Sequence, residues 1–132
     1  MTDNTILQVR GLKKYYGKGE TEVRALDGVD LDIERGKFTA IIGTSGSGKS
    51  TLLNMLGGLD TPSAGSIKVG DTELAKLNSE QATIFRRKQI GFIFQNYNLV
   101  PVLSVWENII FPISLDGRKP DKTFIMQVVK LL

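Results

Sequence analysis

A glycine-rich loop between an apolar run and a helical pattern limits the fold of this chain more than any other feature. The apolar run, residues 38–42, is nearly continuous, which is typical of a strand buried on both faces. The spacing Gly-x-x-x-x-Gly-Lys-Ser follows at once over residues 43–50, and the next apolar positions suit a buried helix: Leu52, Leu53, Met55 and Leu56. A strand, a loop of this spacing and a helix together predict a phosphate-binding loop.

The residue types in this loop suit the binding of a polyphosphate. Glycines at 43, 46 and 48 are expected to let the backbone take positive φ and approach an anion closely. Successive amides would then surround the β-phosphate, helped by the positive end of the helix dipole. Lys49 would contact the β- and γ-phosphates, Ser50 would bind Mg²⁺, and Thr51 would reach the α-phosphate. The alternative is a flexible turn without a ligand. The predicted contacts are Gly43, Thr44, Ser45, Gly46, Ser47, Gly48, Lys49, Ser50 and Thr51.

The other patterns predict strands and helices around the loop. Apolar residues between Ile6 and Leu12 indicate a first strand, and residues 23–26 form a short apolar segment. Strict alternation of apolar and acidic residues over 29–34 indicates a half-buried antiparallel strand. Further strands are predicted at 66–69 and, buried, at 90–94. Helices are expected after the capping-box pairs Asn78/Gln81 and Ser104/Glu107, and a last helix over residues 121–132. Pro112 should stop or kink the helix that contains it.

These elements predict an α/β fold, a P-loop NTPase core with an antiparallel β subdomain and the beginning of a helical subdomain. The strands at 38–42 and 90–94 would lie in a parallel sheet, with the loop at a carboxyl end. The expected divisions are an antiparallel layer over 1–35, the core over 36–99 and the helical part over 100–132. Because the last helix ends with an unpartnered apolar face, we expect the sequence to be part of a longer protein.

The composition excludes several kinds of site. The chain contains no cysteine and no histidine, so it has no disulfide, thiolate metal site or histidine base. The net charge is +3, but acidic residues are interspersed, and no nucleic-acid partner is expected. No apolar run approaches the roughly 18–20 residues that span a bilayer. We therefore expect a cytoplasmic protein that reaches a membrane only through a partner.

Several segments resemble the ATP-binding subunits of ABC transporters. Residues 43–53 are similar to that family's Walker A loop, including Thr51 and the leucines after it, and residues 90–95 resemble its Q-loop. Residues 57–62 and 65–67 match the family's turn between them. The resemblance covers nearly the whole chain. Segments 98–101 and 107–109 are most similar to the group that exports lipoproteins, macrolides or antimicrobial peptides.

The resemblance implies roles for individual residues. Tyr16 stands where the family places an aromatic ring that stacks on adenine, although Tyr15 could do the same, or one tyrosine could simply cover the first strand. Gln95 matches the residue that reaches Mg²⁺ and the attacking water; the other interpretation is an amide that caps nearby backbone. Residues 97–107 would face a membrane subunit, with Leu103, Val105 and Trp106 as either partner contacts or ordinary helix core. Lys49 and Gln95 are thus the implied catalytic residues.

The resemblance also implies cofactors and partners. ATP and Mg²⁺ would be bound, and hydrolysis would occur in a head-to-tail dimer of ATPase subunits, held on the inner face of the membrane by transmembrane permease subunits. The sequence has no Leu-Ser-Gly-Gly-Gln signature, no Asp-Glu pair after an apolar strand and no switch histidine. This stretch alone is therefore expected to bind nucleotide weakly and not to hydrolyse it.

Other functions remain open at this point. A regulatory module could bind nucleotide without hydrolysis, and a small P-loop kinase could carry a similar loop. A kinase usually adds an arginine-rich lid, whereas the only adjacent arginines here are Arg86 and Arg87. A DNA-repair ATPase of related fold would need sustained heptads after the Gln95 strand, and none begins there.

Overall fold

The structure is a computed structural model that describes residues 4–132. Residues 1–3, which open the expected antiparallel layer, lie outside the described part. The chain forms two compact units, one that ends at Ile90 and one over Gly91–Leu132. Each unit is described by itself.

A four-stranded antiparallel sheet organises the first unit. Its strands are β1 (Thr5–Tyr16), β2 (Val23–Glu34), β3 (Ala64–Val69) and β4 (Thr72–Glu73), in the order β2-β1-β3-β4. Val9 of β1 lies opposite Leu31 of β2 on one side and Ile67 of β3 on the other. The apolar segment 23–26 and the alternating segment 29–34 are thus parts of one strand, and the sheet continues beyond the first 35 residues.

The core of this unit lies between the sheet and one short helix, α1 (Lys49–Leu56). Leu52, Met55 and Leu56 are buried because their spacing places them on one helical face. Leu53 falls outside that face and is 47% exposed, so the prediction that it would be buried is wrong. The sheet supplies the other buried side chains: Val9, Leu12, Leu26 and Ile67. This packing fixes the helix whose first turn follows the glycine-rich loop.

The two strands expected in a parallel core are absent from the described residues. Residues 38–42 and 90–94 form neither helix nor strand, and Phe38, Ile42 and Ile93 are at least 90% exposed. A strand requires a hydrogen-bonded neighbour. Within residues 4–132, no strand pairs with either segment. Only Ile41 of the first segment packs on the core.

The helix α2 (Ser79–Gln89) begins at the predicted capping box. The Asn78 side chain accepts from the Gln81 amide at 2.9 Å, and the Gln81 side chain accepts from the Asn78 amide at 3.0 Å. Two short 3₁₀ helices, Gly19–Thr21 and Leu74–Lys76, complete the first unit's elements.

Replacing this cap should lower stability. We expect Asn78→Ala to reduce the free energy of unfolding by about 1 kcal/mol, because the first turn of α2 loses a side-chain acceptor. Chemical denaturation measures the change. The exposed Glu80→Ala variant, which leaves both capping bonds intact, is the control; an equal loss in both variants would contradict the capping role.

The second unit contains α3 (Val105–Leu115) and α4 (Lys122–Leu131). Ser104 and Glu107 form the predicted capping box of α3. Pro112 lies inside α3 and does not end it, so the helix continues for another turn. Among the described residues, no helix is long and apolar enough to cross a membrane.

Candidate nucleotide-binding site

The glycine-rich loop is held at the edge of the core by its last glycine. Gly48 is the N-cap of α1, and its φ of 91° is a conformation that residues with a Cβ rarely adopt. A Cβ there would collide with the carbonyl oxygen of Ala25 in β2 and lie 3.2 Å from Leu26 Cδ2. Glycine at this position therefore lets the loop and the sheet approach each other closely.

Glycine suits the other two positions of the motif for different structural reasons. Gly46 also has positive φ, 78°, but open space surrounds it. Gly43 does not have positive φ, so that part of the expectation is wrong. A Cβ on Gly43 would lie 2.6 Å from Ser47 Oγ. At this position glycine gives room for a side chain of the loop itself.

Most amides of the loop have no hydrogen-bond acceptor in the protein. The Ser47 amide donates to the Thr44 carbonyl at 3.3 Å. The first helical bond back to the loop comes from Leu52, which donates to the Gly48 carbonyl at 2.8 Å. Within residues 4–132, Ser47 has the one amide of residues 43–51 for which an acceptor is found, and the N-cap contributes no side-chain bond. The amides without an acceptor belong to Gly43, Thr44, Ser45, Gly46, Gly48, Lys49, Ser50 and Thr51. Free amides at a helix N-terminus favour an anion.

The ammonium group of Lys49 stays within the loop. Its Nζ donates to the Thr44 carbonyl at 2.6 Å and lies 3.4 Å from Ser47 Oγ. Both partners are neutral, so the positive charge has no carboxylate beside it. Ser45 and Ser50 are exposed, and Thr51 is half-buried. The loop thus combines free amides, one ammonium and hydroxyl groups, which is the chemistry that a polyphosphate requires.

The two candidate tyrosines at the end of β1 have different surroundings. The Tyr15 hydroxyl donates to Asp27, and Arg24 Cζ lies 5.2 Å from the Tyr15 ring centroid. The Tyr16 hydroxyl donates to Asp60 Oδ2 at 3.1 Å, and its side chain remains 43% exposed. Each ring therefore has a cation near one face, and Tyr16 is the more exposed of the two tyrosines.

Two residues near Tyr16 were not singled out from the sequence. Lys14 Nζ lies 2.7 Å from Asp60 Oδ1 and 5.0 Å from the centroid of the Tyr16 ring. The Lys14 ammonium, bonded to Asp60, holds the pKa of that carboxyl below its usual range. Asp60 lies in the turn between α1 and β3, and no local pattern indicates its contact with β1.

Gln95 lies in the second unit, where it is exposed in a turn after residues 90–94. The glycine-rich loop belongs to the first unit, and the role of Gln95 stays a prediction. No cluster of three acidic, cysteine or histidine residues that could hold a metal occurs in the described part of the chain. Mg²⁺ usually takes few protein ligands and completes its octahedron with phosphates and water, so one hydroxyl from Ser50 fits its needs.

The segments that carry the subgroup resemblance are joined in the second unit. The Asn108 side chain accepts from the Val100 amide at 2.8 Å and donates to the Val100 carbonyl at 3.2 Å. It also donates to the carbonyls of Leu103 and Ser104, both at 3.0 Å. Asn108 thus ties residues 100–104 to the first turns of α3.

Curated proteins provide close sequence relatives. The chain is 47% identical to the macrolide export ATP-binding/permease protein MacB of Bdellovibrio bacteriovorus, over 89% of this chain and 18% of that protein. It is 43% identical to the lipoprotein-releasing system ATP-binding protein LolD of Alcanivorax borkumensis, over 87% of this chain and 50% of that protein. It is also 44% identical to the bacitracin export ATP-binding protein BceA of Halalkalibacterium halodurans, over 83% of this chain and 44% of that protein. The chain spans at most about half the length of these relatives.

Solved structures share the fold. One is the dimeric structure of the ATP-binding cassette MJ0796 in a post-hydrolysis state, bound to ADP and Pi. It is 38% identical to this chain and has a TM-score of 0.81, over 86% of this chain and 49% of that chain. CbiO1 from Clostridium perfringens is 28% identical and has a TM-score of 0.73, over 97% of this chain and 49% of that chain. The α/β fold class predicted from the sequence is confirmed. The sequence pattern of the ABC transporter family matches residues 26–131, and the chain therefore belongs to that family.

Proposed function

We propose that this chain is the ATP-binding part of an ABC transporter subunit that couples ATP binding and hydrolysis to export or extraction of a substrate at the membrane. The observation that carries the proposal is the loop before α1, whose amides are free and whose lysine has no carboxylate partner. Such a loop stabilises a polyphosphate through oriented N–H groups and the helix dipole.

Binding would exchange the present contacts of Lys49 for phosphate contacts. The ammonium group now donates to the neutral Thr44 carbonyl, and an anionic phosphate oxygen is a stronger acceptor. The contacts proposed for the phosphates are the residues 43–51 named above, with Ser50 and Gln95 as the protein ligands of Mg²⁺. When bound, Mg²⁺ would neutralise charge on the β- and γ-phosphates.

The partners proposed for the whole protein are a permease and a second ATPase subunit. The names of two relatives describe ATP-binding proteins of export and release systems, and MacB is named as a combined ATP-binding and permease protein. The MJ0796 structure is dimeric. These likenesses support a head-to-tail dimer, attached to the inner face of the membrane by transmembrane subunits. They favour transport over a regulatory module, a kinase or a DNA-repair ATPase.

Transport coupling can be tested in the full protein with its membrane subunits. In proteoliposomes, we expect ATP hydrolysis that depends on Mg²⁺ and rises when the permease is present. Phosphoryl transfer to a small acceptor, or ATP binding without turnover in the assembled complex, would contradict the proposal.

The Tyr16 ring is proposed to stack on adenine, and its removal should affect ATP more than pyrophosphate. We expect Tyr16→Ala to weaken ATP binding about tenfold, since base–aromatic stacking contributes about 1–3 kcal/mol, and to leave pyrophosphate binding unchanged. Isothermal titration of both ligands measures the difference.

The matched control is Tyr15→Ala. Because the Tyr15 ring lies under Arg24 and its hydroxyl bonds to Asp27, this variant should change stability without changing the preference for ATP. An equal loss for both ligands in Tyr16→Ala, or an adenine-specific loss in Tyr15→Ala instead, would contradict the assignment.

A further inference from the structure

Two side chains of β1 and one from the turn before β3 meet at the end of β1. Asp60 receives the Tyr16 hydroxyl on Oδ2 at 3.1 Å and the Lys14 ammonium on Oδ1 at 2.7 Å. Lys14 also donates to the Thr61 carbonyl at 2.8 Å. Lys14 and Tyr16 are two positions apart in β1 and therefore share one face of the strand. We refer to Lys14, Tyr16 and Asp60 as the β1-end cluster.

The turn that carries Asp60 is attached to β1 by other bonds as well. The Tyr15 amide donates to Ser63 Oγ at 2.9 Å, and the Ser63 amide donates to the Lys13 carbonyl at 2.8 Å. These bonds hold the turn in place without the Tyr16 hydroxyl. The bond from Tyr16 to Asp60 is therefore not required to place the turn, and its main consequence is for the tyrosine.

The bond restricts a ring that packing alone leaves partly free. Tyr16 is the last residue of β1 and is 43% exposed. An exposed side chain at a strand end exchanges rotamers unless a specific contact selects one. Asp60 is a charged acceptor, because the ammonium of Lys14 lowers the pKa of its carboxyl and keeps it ionised. Lys14 Nζ lies over the Tyr16 ring, so a planar ligand could stack only on the opposite face.

We propose that Asp60 is a positioning residue that fixes the Tyr16 ring for a purine base, with Lys14 covering the ring face that the base does not use. The proposal rests on the proposed function, in which Tyr16 contacts the base of the nucleotide. A ring held in its binding rotamer loses less conformational freedom when the base arrives. Asp60 would thus raise affinity for the base without touching the nucleotide.

A double-mutant cycle in the full protein tests this coupling. Asp60→Ala and Tyr16→Phe each remove the hydroxyl–carboxylate bond, and Tyr16→Phe keeps the ring. Each single variant should weaken ATP binding about three- to tenfold, as expected when one further side chain must be ordered on binding, and leave tripolyphosphate binding unchanged. The double variant should be no weaker than the weaker single variant, because the same bond is removed twice. Asp60→Asn, which keeps a side-chain oxygen, should restore part of the loss.

The remaining outcomes separate the two proposals. If Tyr16→Ala weakens ATP selectively but Tyr16→Phe and Asp60→Ala do not, Asp60 does not position the ring and only this inference fails. Additive losses in the double variant, or equal losses for ATP and tripolyphosphate in Asp60→Ala, would also overturn it. If Tyr16→Ala binds ATP normally, the ring does not contact the base, and the stacking role itself fails.

Discussion

The Lys49→Ala variant is expected to lose roughly two orders of magnitude in ATP affinity. The side chain supplies the one ammonium group held within the loop, where it bonds to the carbonyl of Thr44. Losing one charge-stabilising donor at a phosphate site costs about 3 kcal/mol. Because the loop amides remain, residual binding should persist at high nucleotide concentration. Titration with ATP and Mg²⁺ measures the change, and hydrolysis by the full protein should fall with it.

Lys37→Ala is the matched control for this variant. Lys37 is exposed in the segment just before the loop, so the substitution removes the same charge from the same region. We expect Lys37→Ala to bind ATP within about a factor of two of the unsubstituted protein, as the screened field of one exposed charge is small. Equal losses in the two variants would show that net charge, rather than the position of Lys49, governs binding.

The Gly48→Ala variant should lower both stability and nucleotide binding. A Cβ at this position collides with the carbonyl oxygen of Ala25 and forces φ away from 91°. We expect a loss of about 2–3 kcal/mol in the free energy of unfolding, because the contact is with backbone that cannot move aside easily. Denaturant unfolding measures stability, and titration with ATP measures binding.

Gly46→Ala separates backbone strain from the collision. Gly46 has a similar positive φ, 78°, but a Cβ there has no atom within 4 Å. It should therefore lose only about 1 kcal/mol of stability, as expected for an alanine at positive φ in open space. If Gly48→Ala were no less stable than Gly46→Ala, the close approach of β2 to the loop would not explain the glycine.

Local patterns predicted the parts of this fold that local interactions determine. Both capping boxes form as the spacings Asn78/Gln81 and Ser104/Glu107 indicate, since each involves residues three apart. The antiparallel alternation of residues 29–34 also holds, because β1 pairs with it across a short connection. By contrast, the strands expected at 38–42 and 90–94 depend on neighbours distant in sequence, and no such pairing occurs within residues 4–132.

In the candidate site, too, local features could be predicted from the sequence and contacts between distant residues could not. The loop could be identified because its glycines, lysine and hydroxyls are consecutive, although spacing did not show that Gly43 makes room for Ser47. The β1-end cluster could not be predicted, because Lys14 and Asp60 are 46 positions apart and neither has a distinctive local pattern. The pairing of β3 with β1 and the bonds from Ser63 to β1 bring the turn with Asp60 to the end of β1.

We propose that the amides of residues 43–51 receive the phosphates of the nucleotide. Amide proton and nitrogen shifts in the full protein, followed during titration with pyrophosphate, test it most directly. We predict the largest, saturable shifts at Gly46, Gly48, Lys49 and Ser50, with little change at β4 (Thr72–Glu73). Saturable shifts centred elsewhere, with the loop amides unmoved, would show that the phosphates bind at another site.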